Sequence, residues 1–329
     1  MSNPQPTRLY RSILGEALQL TWKRKSLWVF GLFAGLISTG GVIDIAMRSM
    51  QRVKSQGAFL EQLIDQSFIG YNIFASYVQQ MQVLGVTRVS WMLGACTFVM
   101  VGLIIAGILS QIALILSSKS ATAEHPHHLR KQAMAHFGSV LVIDILTKIT
   151  TIVLIGVTSL PFLLFLTSTT PHSFWILFVQ TLVFLPLIVI LNIISMLAMI
   201  DIVDHNTKPL EALFTAIRLF QNQWVATLEF GLLLFLLVLL SGIVLVVASG
   251  VLLIPYAIVY TAALLTGSLS FFFIANTLFG LLFLGLICAF AGAIVTFQYT
   301  AWHRFYKRAV HKQHGTKVFS KILRLFGLR

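Results

Sequence analysis

The sequence predicts an all-α integral membrane protein with about six transmembrane helices, and three observations support this fold class. Of the 329 residues, 57% are hydrophobic and only 10% are charged, whereas a soluble domain carries about 25% charged residues. Six segments each contain the ~20 predominantly apolar residues that a spanning helix needs. The basic residues are strongly segregated among the segments that flank these spans.

The predicted spans are separated by short connections, with one longer loop. The spans lie at about 27–47, 91–116, 140–166, 174–200, 228–254 and 270–301. Outside them lie the N-terminal segment 1–26, the loop 48–90 and the tail 302–329. The stretch 255–269 is apolar enough to be re-entrant, but we interpret it as a short interfacial turn with Tyr256 and Tyr260 at headgroup level.

The basic residues predict the orientation of the chain. Of 23 Lys and Arg residues, 18 lie in the N-terminal segment, the second and fourth loops and the tail; four lie in the loop 48–90, and Lys148 lies within a span. Because cytoplasmic loops carry an excess of Lys and Arg, both termini are predicted to be cytoplasmic. The net charge of +13 therefore indicates anionic lipid headgroups rather than nucleic acid as the partner.

Amphipathic helices are predicted directly before the first and fifth spans. The first carries an apolar stripe at helical spacing, and we expect it to lie in the membrane plane. Its stripe consists of Tyr10, Ile13, Leu14, Ala17, Leu18 and Thr21. The second begins at Pro209, with Thr207 or Asn206 as its cap. Its stripe consists of Leu210, Leu213, Phe214, Ile217 and Trp224.

A weaker third copy at Pro126–Leu146 suggests three repeats, each an in-plane helix followed by a transmembrane hairpin. The alternative is that any connector beside a membrane tends to become amphipathic. The tail from Thr316 to Arg329 is also basic and amphipathic. Binding to the membrane surface is assigned to Lys23, Arg24, Lys25, Lys317, Lys321 and Arg324. For the tail, a protein partner or a calmodulin-like mode is the alternative.

Four polar side chains in the apolar segments are candidate intramembrane residues. Asp144 and Lys148 stand four residues apart, the spacing of a helical ion pair that could line a proton or ion path. Alternatively, the third span starts near Ile149 and the pair lies at the interface. Asn192 and Asn276 are expected to form hydrogen bonds between helices.

Small residues predict where helices approach closely. Gly31 and Gly35 form one such face. A longer series in the sixth span consists of Gly285, Ala289 and Ala293. Whether these faces meet within one chain or across a homo-oligomer is left open by the sequence.

The sequence contains no nucleophile, phosphate-loop or paired-carboxylate motif, so we predict that the protein is not an enzyme and binds no cofactor. The His125–His128 cluster has no nearby cysteine and no helical His-xxx-His spacing. We therefore interpret this cluster as a solvated loop and predict no metal site.

The stretch "LTWKRKSLWVFGLFAGL", the following Gly40–Gly41 and the later "ALFTAIRLFQNQWVATLEFGLLL" resemble a set of poorly characterised bacterial membrane proteins. The chain is similar to the membrane domain of some glycerophosphodiester phosphodiesterases, without their catalytic barrel. This resemblance implies a multi-pass protein of the bacterial inner membrane. The resulting prediction is a non-enzymatic membrane component whose basic cytoplasmic face binds anionic lipid or a protein partner. The alternative is a transporter or channel for a lipid or small solute.

Overall fold

The computed structural model describes residues 6–37, 86–119, 126–167 and 172–311. Eight helices and no strand occur in these ranges, which confirms the all-α class. The helices are α1 (Pro6–Lys23), α2 (Leu27–Ile37), α3 (Val86–Lys119), α4 (Pro126–Thr167), α5 (His172–His205), α6 (Pro209–Asn222), α7 (Trp224–Thr266) and α8 (Leu269–His311).

Within the described ranges, five helices are long and apolar enough to cross a bilayer. Their apolar segments are Ser90–Lys119, Lys131–Val157, Leu182–His205, Trp224–Thr266 and Leu269–Val310. These segments correspond to the second to sixth predicted spans. The first predicted span is described only as far as Ile37. Its remainder, the loop up to residue 85 and the tail from residue 312 lie outside the described residues.

Helices α1 and α8, which lie at the two ends of the described chain, meet at one end of the bundle, where α3 and α5 also contact each other. The Arg308 guanidinium of α8 donates to Glu16 of α1 at 2.6 Å, and Lys119 Nζ of α3 donates to the Asp204 carbonyl of α5 at 3.1 Å. Two further bonds there join Arg24 to the Ser117 carbonyl (3.2 Å) and Gln223 to the Ala309 carbonyl (3.0 Å). We call this end of the bundle the basic end. It consists of α1 and α6, the first turns of α2 and α7, and the last turns of α3, α5 and α8.

The helices are packed tightly toward the basic end and are far more exposed away from it. The buried core includes residues 110–116 of α3 and 197–203 of α5. By contrast, every residue of α3 from Ser90 to Ile105 is exposed on all sides of the helix. A helix that is apolar all round is stable in hydrocarbon rather than in water. The exposed halves therefore form the lipid-facing surface of an integral membrane protein.

Two glycines allow α2 and α8 to cross in close contact. A Cβ atom built on Gly31 would overlap the Gly292 carbonyl oxygen, and one on Gly292 would overlap the Trp28 carbonyl oxygen. Thr296 Oγ1 also donates to the Leu27 carbonyl at 3.0 Å. The predicted role of Gly31 is confirmed, and this contact lies within one chain.

The series predicted in the sixth span does not form this contact. Gly285 has no atom within 4 Å of a built Cβ, and Ala289 is exposed. Within the chain, the face of α8 that meets α2 is instead centred on Gly292 and Thr296, and a contact of the predicted series across a homo-oligomer stays a prediction.

The predicted turn at 255–269 is also wrong. Helix α7 continues through Pro255 to Thr266, and the hairpin turns at Gly267, whose φ of 62° is left-handed. Glycine adopts this conformation without a Cβ penalty and commonly ends helices. Proline is tolerated inside membrane helices because other groups satisfy the freed carbonyl, so Pro255 does not mark the end of the span.

Three other expectations about the helices need correction. The third amphipathic copy is continuous with its span, since α4 is unbroken from Pro126 to Thr167. Helix α8 does not end near Ala301 but continues to His311. Neither Asn206 nor Thr207 caps α6, whose N-cap is Lys208 without a side-chain bond. Separate helices therefore precede only the first and fifth spans among the described residues.

Most of the apolar stripe of α1 is covered by protein, and of its six residues only Leu18, at 57%, is exposed. Ile13 and Ala17 are fully buried in a cluster with Phe230 of α7 and Phe305 of α8. Helix α6 differs, because Ala212 and Ala216 pack inward while three residues of the predicted stripe remain exposed, Leu210 at 64%, Phe214 at 70% and Trp224 at 49%. The α6 segment therefore exposes more of its predicted stripe than α1 does.

Tyr10 links α1 to α7 and provides a titration test of this packing. Its hydroxyl donates to Glu229 Oε2 at 3.2 Å. Burial, then the charge of Glu229 and this hydrogen bond, raise the pKa of Tyr10 to about 12. The tyrosinate absorbance that Tyr10→Phe lacks belongs to Tyr10, and we expect it to appear near pH 12 in the wild type. Glu229→Gln should lower the midpoint of this Tyr10 titration toward pH 10. Because the pKa is raised in the folded state, the stability that Tyr10 contributes is present below pH ~10 and is lost as pH rises toward 12. A midpoint near 10 in the wild type would contradict the contact.

Candidate functional site

The basic end exposes several cations that have no acidic partner. Lys23 and Lys25 are exposed, whereas Arg24 donates to the Ser117 carbonyl. Lys208 and Arg218, which flank and lie within α6, are exposed too. Within the described residues, no acid pairs with Lys23, Lys25, Lys208 or Arg218. The other predicted surface residues, Lys317, Lys321 and Arg324, lie outside the described residues.

Large apolar side chains are exposed close in sequence to these four cations. Trp22 is 65% exposed and Trp224 is 49% exposed, in addition to Leu210 and Phe214 of α6. Tryptophan side chains are enriched at the membrane interface, where one end of the ring is apolar and the other is hydrated. The combination of exposed cations, tryptophans and an apolar helix face is typical of a surface that contacts lipid headgroups.

Other cations at the same end are used to hold the helices together. Glu16 of α1 pairs with Arg308 at 2.6 Å and with Arg304 at 3.5 Å. Lys119 lies 3.6 Å from Asp204 Oδ1. The cations of the basic end therefore divide into structural cations, which face acids of neighbouring helices, and surface cations, which do not.

Polar and charged side chains of α4, α5 and α8 also lie inside the bundle, and we call this set the polar seam. Asp144 and Asp201 are buried, the side chain of Asp204 is 5% exposed, and each of these carboxylates of α4 and α5 interacts with a side chain of α8. The pairs are Asp144 with Tyr299, Asp204 with His303, and Asp201 with Tyr306. The sequence analysis missed every member except Asp144. The spacing of residues 299, 303 and 306, which places them on one helical face, was the available signal.

Asp201 has the most complete set of partners in the seam. Its Oδ1 accepts from Tyr306 Oη at 2.5 Å and lies 2.9 Å from His205 Nδ1. Its Oδ2 accepts from Thr207 Oγ1 at 3.0 Å. Asp201 is 3% exposed, so these bonds replace the water that a carboxylate loses on burial.

Asp204 and His303 are less completely paired. His303 Nε2 lies 3.1 Å from Asp204 Oδ2. The other ring nitrogen, Nδ1, is buried and has no hydrogen-bond partner in the described structure. Asp204 Oδ1 accepts no hydrogen bond there either, although Lys119 Nζ forms an ion pair with it at 3.6 Å. Gln111 Oε1 of α3 is a further buried oxygen without a partner there.

The four predicted intramembrane residues do not line one path. Asp144 and Lys148 are paired at 2.5 Å, and Asp144 is only 7% exposed, so the predicted pair is present. Asn192 bonds to the carbonyl of Ile188 in its own helix, contrary to the interhelical bond expected.

Asn276 does join two helices, because its Oδ1 accepts from Tyr256 Oη at 2.7 Å. However, at 1.5 Å per residue Asn276 lies roughly 35 Å along α8 from Tyr299, the neighbour of Asp144. A single polar path through all four residues is therefore not formed.

Among the described residues, no group of three His, Cys, Asp or Glu side chains is arranged to hold a metal ion. His125 lies outside the described residues. No family model, no curated protein and no solved structure matches this chain.

Proposed function

We propose that this integral membrane protein is a non-enzymatic component whose basic end binds anionic lipid headgroups. In this proposal the basic end faces the cytoplasm of a bacterium, as the positive-inside rule favours, and the chain belongs to the inner membrane, as the resemblance to the phosphodiesterase membrane domain implies. The observation that carries the proposal is the set of unpaired surface cations beside exposed tryptophans and α6.

The structure favours lipid over a soluble acidic partner as the ligand of this surface. Leu210 and Phe214 of α6 are exposed on the same short helix as Arg218. An apolar face buried at the headgroup boundary beside cations combines two attractions that lipid supplies together. Each basic residue near an anionic surface contributes about 1 kcal/mol, so four cations suffice for a strong preference.

Native mass spectrometry of the full chain in mixed micelles tests this proposal. In the wild type we expect phosphatidylglycerol to be retained over phosphatidylcholine, less strongly as salt rises, because salt screens exposed charges. The quadruple variant Lys23→Gln, Lys25→Gln, Lys208→Gln and Arg218→Gln should lose at least about tenfold in apparent affinity for the anionic lipid.

A control matched in charge removes four cations of the predicted opposite loop: Arg48→Gln, Arg52→Gln, Lys54→Gln and Arg88→Gln. This control should retain the preference for anionic lipid. Equal retention of both lipids by the wild type, or equal losses in the two quadruple variants, would contradict the proposal. The first of those results would favour a protein partner.

A further inference from the structure

His303 is the fully buried side chain in the seam whose second ring nitrogen has no partner in the described structure. Its exposure is 0%, and its Nε2 faces Asp204. When the imidazole is neutral with the proton on Nε2, Nδ1 is an acceptor, as is Asp204 Oδ1. An unpartnered buried polar atom costs about 1–3 kcal/mol, and native proteins contain few of them. His303 Nδ1 is therefore a buried acceptor that is available to a proton.

The surroundings of His303 have opposing effects on the charged form of its imidazole. The Asp204 carboxylate stabilises an imidazolium, whereas burial disfavours it. The ammonium groups of Lys119 and Lys307 act on the same carboxylate and weaken its hold on a second cation. The charged and titratable side chains of this region are Asp201, Asp204 and His205 of α5, Lys119 of α3, Glu16 of α1, and Arg304, Tyr306, Lys307 and Arg308 of α8. Since Glu16 is paired with Arg304 and Arg308, the balance at His303 is set mainly by one acid and two ammonium groups.

The site also has contacts with the exposed surface of the basic end. The side chain of Lys119, which is 46% exposed, lies 3.6 Å from Asp204 Oδ1. One turn away, the 52%-exposed side chain of His205 contacts Asp201, whose partner Tyr306 is also under the influence of the Asp204 charge. Asp204, which His303 faces, is therefore in direct contact with a half-exposed side chain of the basic end.

We propose that His303 and Asp204 form a buried proton-binding site that opens toward the basic end. One proton from water binds His303 Nδ1, an N–H bond forms, and the imidazolium is held by the Asp204 carboxylate. No electron is transferred, and the bundle gains one positive charge. This site lies inside the bundle and is independent of the lipid-binding surface.

Nitrogen-15 NMR of the full chain, labelled at histidine and placed in nanodiscs, measures this protonation directly. The resonances lost in His303→Gln identify the ring. We expect them to report one change of protonation state when the pH is varied with the protein folded. Asp204→Asn should lower the proton affinity of His303 at least tenfold, and Lys119→Gln should raise it. Lys119→Gln serves as the second variant if Asp204→Asn does not fold, because Lys119 is half exposed.

His205→Gln is the matched control, since it removes a histidine of the same region that contacts Asp201 instead of Asp204. This variant should leave the midpoint of His303 within half a pH unit of the wild type. The proposal is overturned if His303 stays in one protonation state over the pH range in which the protein is folded. It is equally overturned if His303 titrates with a midpoint that neither Asp204→Asn nor Lys119→Gln changes.

Discussion

Alanine at Gly292 should separate α2 from α8 and lower the free energy of unfolding by about 2 kcal/mol, within the range for overpacked sites. The added methyl group meets the Trp28 carbonyl, which is backbone and cannot rotate away as a side chain could. Separation of the helices also breaks the bond from Thr296 to the Leu27 carbonyl. Alanine is intrinsically about 1 kcal/mol better than glycine in a helix, so the net loss understates the steric cost. Thermal unfolding in mild detergent measures the change.

Gly285→Ala is the matched control on the same helix. Nothing lies within 4 Å of a Cβ at Gly285, so this variant should be neutral or stabilising by up to about 1 kcal/mol. Gly31→Ala should resemble Gly292→Ala, because its methyl group meets the Gly292 carbonyl. If the two α8 variants had the same stability, the close crossing of α2 and α8 would be refuted.

The sequence predicted that small residues would pack against each other but not which face of α8 would do so. Gly285, Ala289 and Ala293 have the right spacing, yet the contact is made by Gly292. The rotation of a helix about its axis is set by all its neighbours together. For α8 these include α1, α2, α3, α5 and α7, and no local pattern contains that information.

The apolar stripe of α1 shows a second limit that is specific to membrane proteins. The sequence correctly predicted a helix with Ile13 and Ala17 on one side, but those residues face protein rather than lipid. Lipid chains are as apolar as leucine. A hydrophobic stripe therefore identifies the side that avoids water without showing whether lipid or protein covers it.

Within the polar seam, the separation of two residues along the chain determined whether the sequence could predict their contact. Asp144 and Lys148 are four residues apart, so helix geometry alone predicts their pairing. Asp201 and Tyr306 are separated by 105 positions, and only the folding of the bundle brings them together. Both residues also lie just outside the apolar segments predicted as spans, so they are not polar residues within a predicted span.

Asp201→Ala should lower the free energy of unfolding by about 1–3 kcal/mol, the cost of leaving a buried hydrogen-bond donor without its acceptor. The substitution leaves the Tyr306 hydroxyl without its acceptor in a residue that is 2% exposed. It also removes the acceptor of Thr207, which fixes the connection between α5 and α6. The unfolding midpoint and the fraction of monodisperse protein in detergent both report this loss.

A double-mutant cycle with Tyr306→Phe separates the network from a general intolerance of mutation. If Tyr306 and Asp201 act through their hydrogen bond, the second substitution should cost less after the first, with a coupling energy of about 1–3 kcal/mol. Glu211→Ala is the control, because Glu211 is exposed on α6 and should change stability by only about 0.5 kcal/mol. Additive losses from Asp201→Ala and Tyr306→Phe would show that the 2.5 Å contact contributes nothing beyond packing. The junction of α5 with α8 would then depend on the apolar core around it.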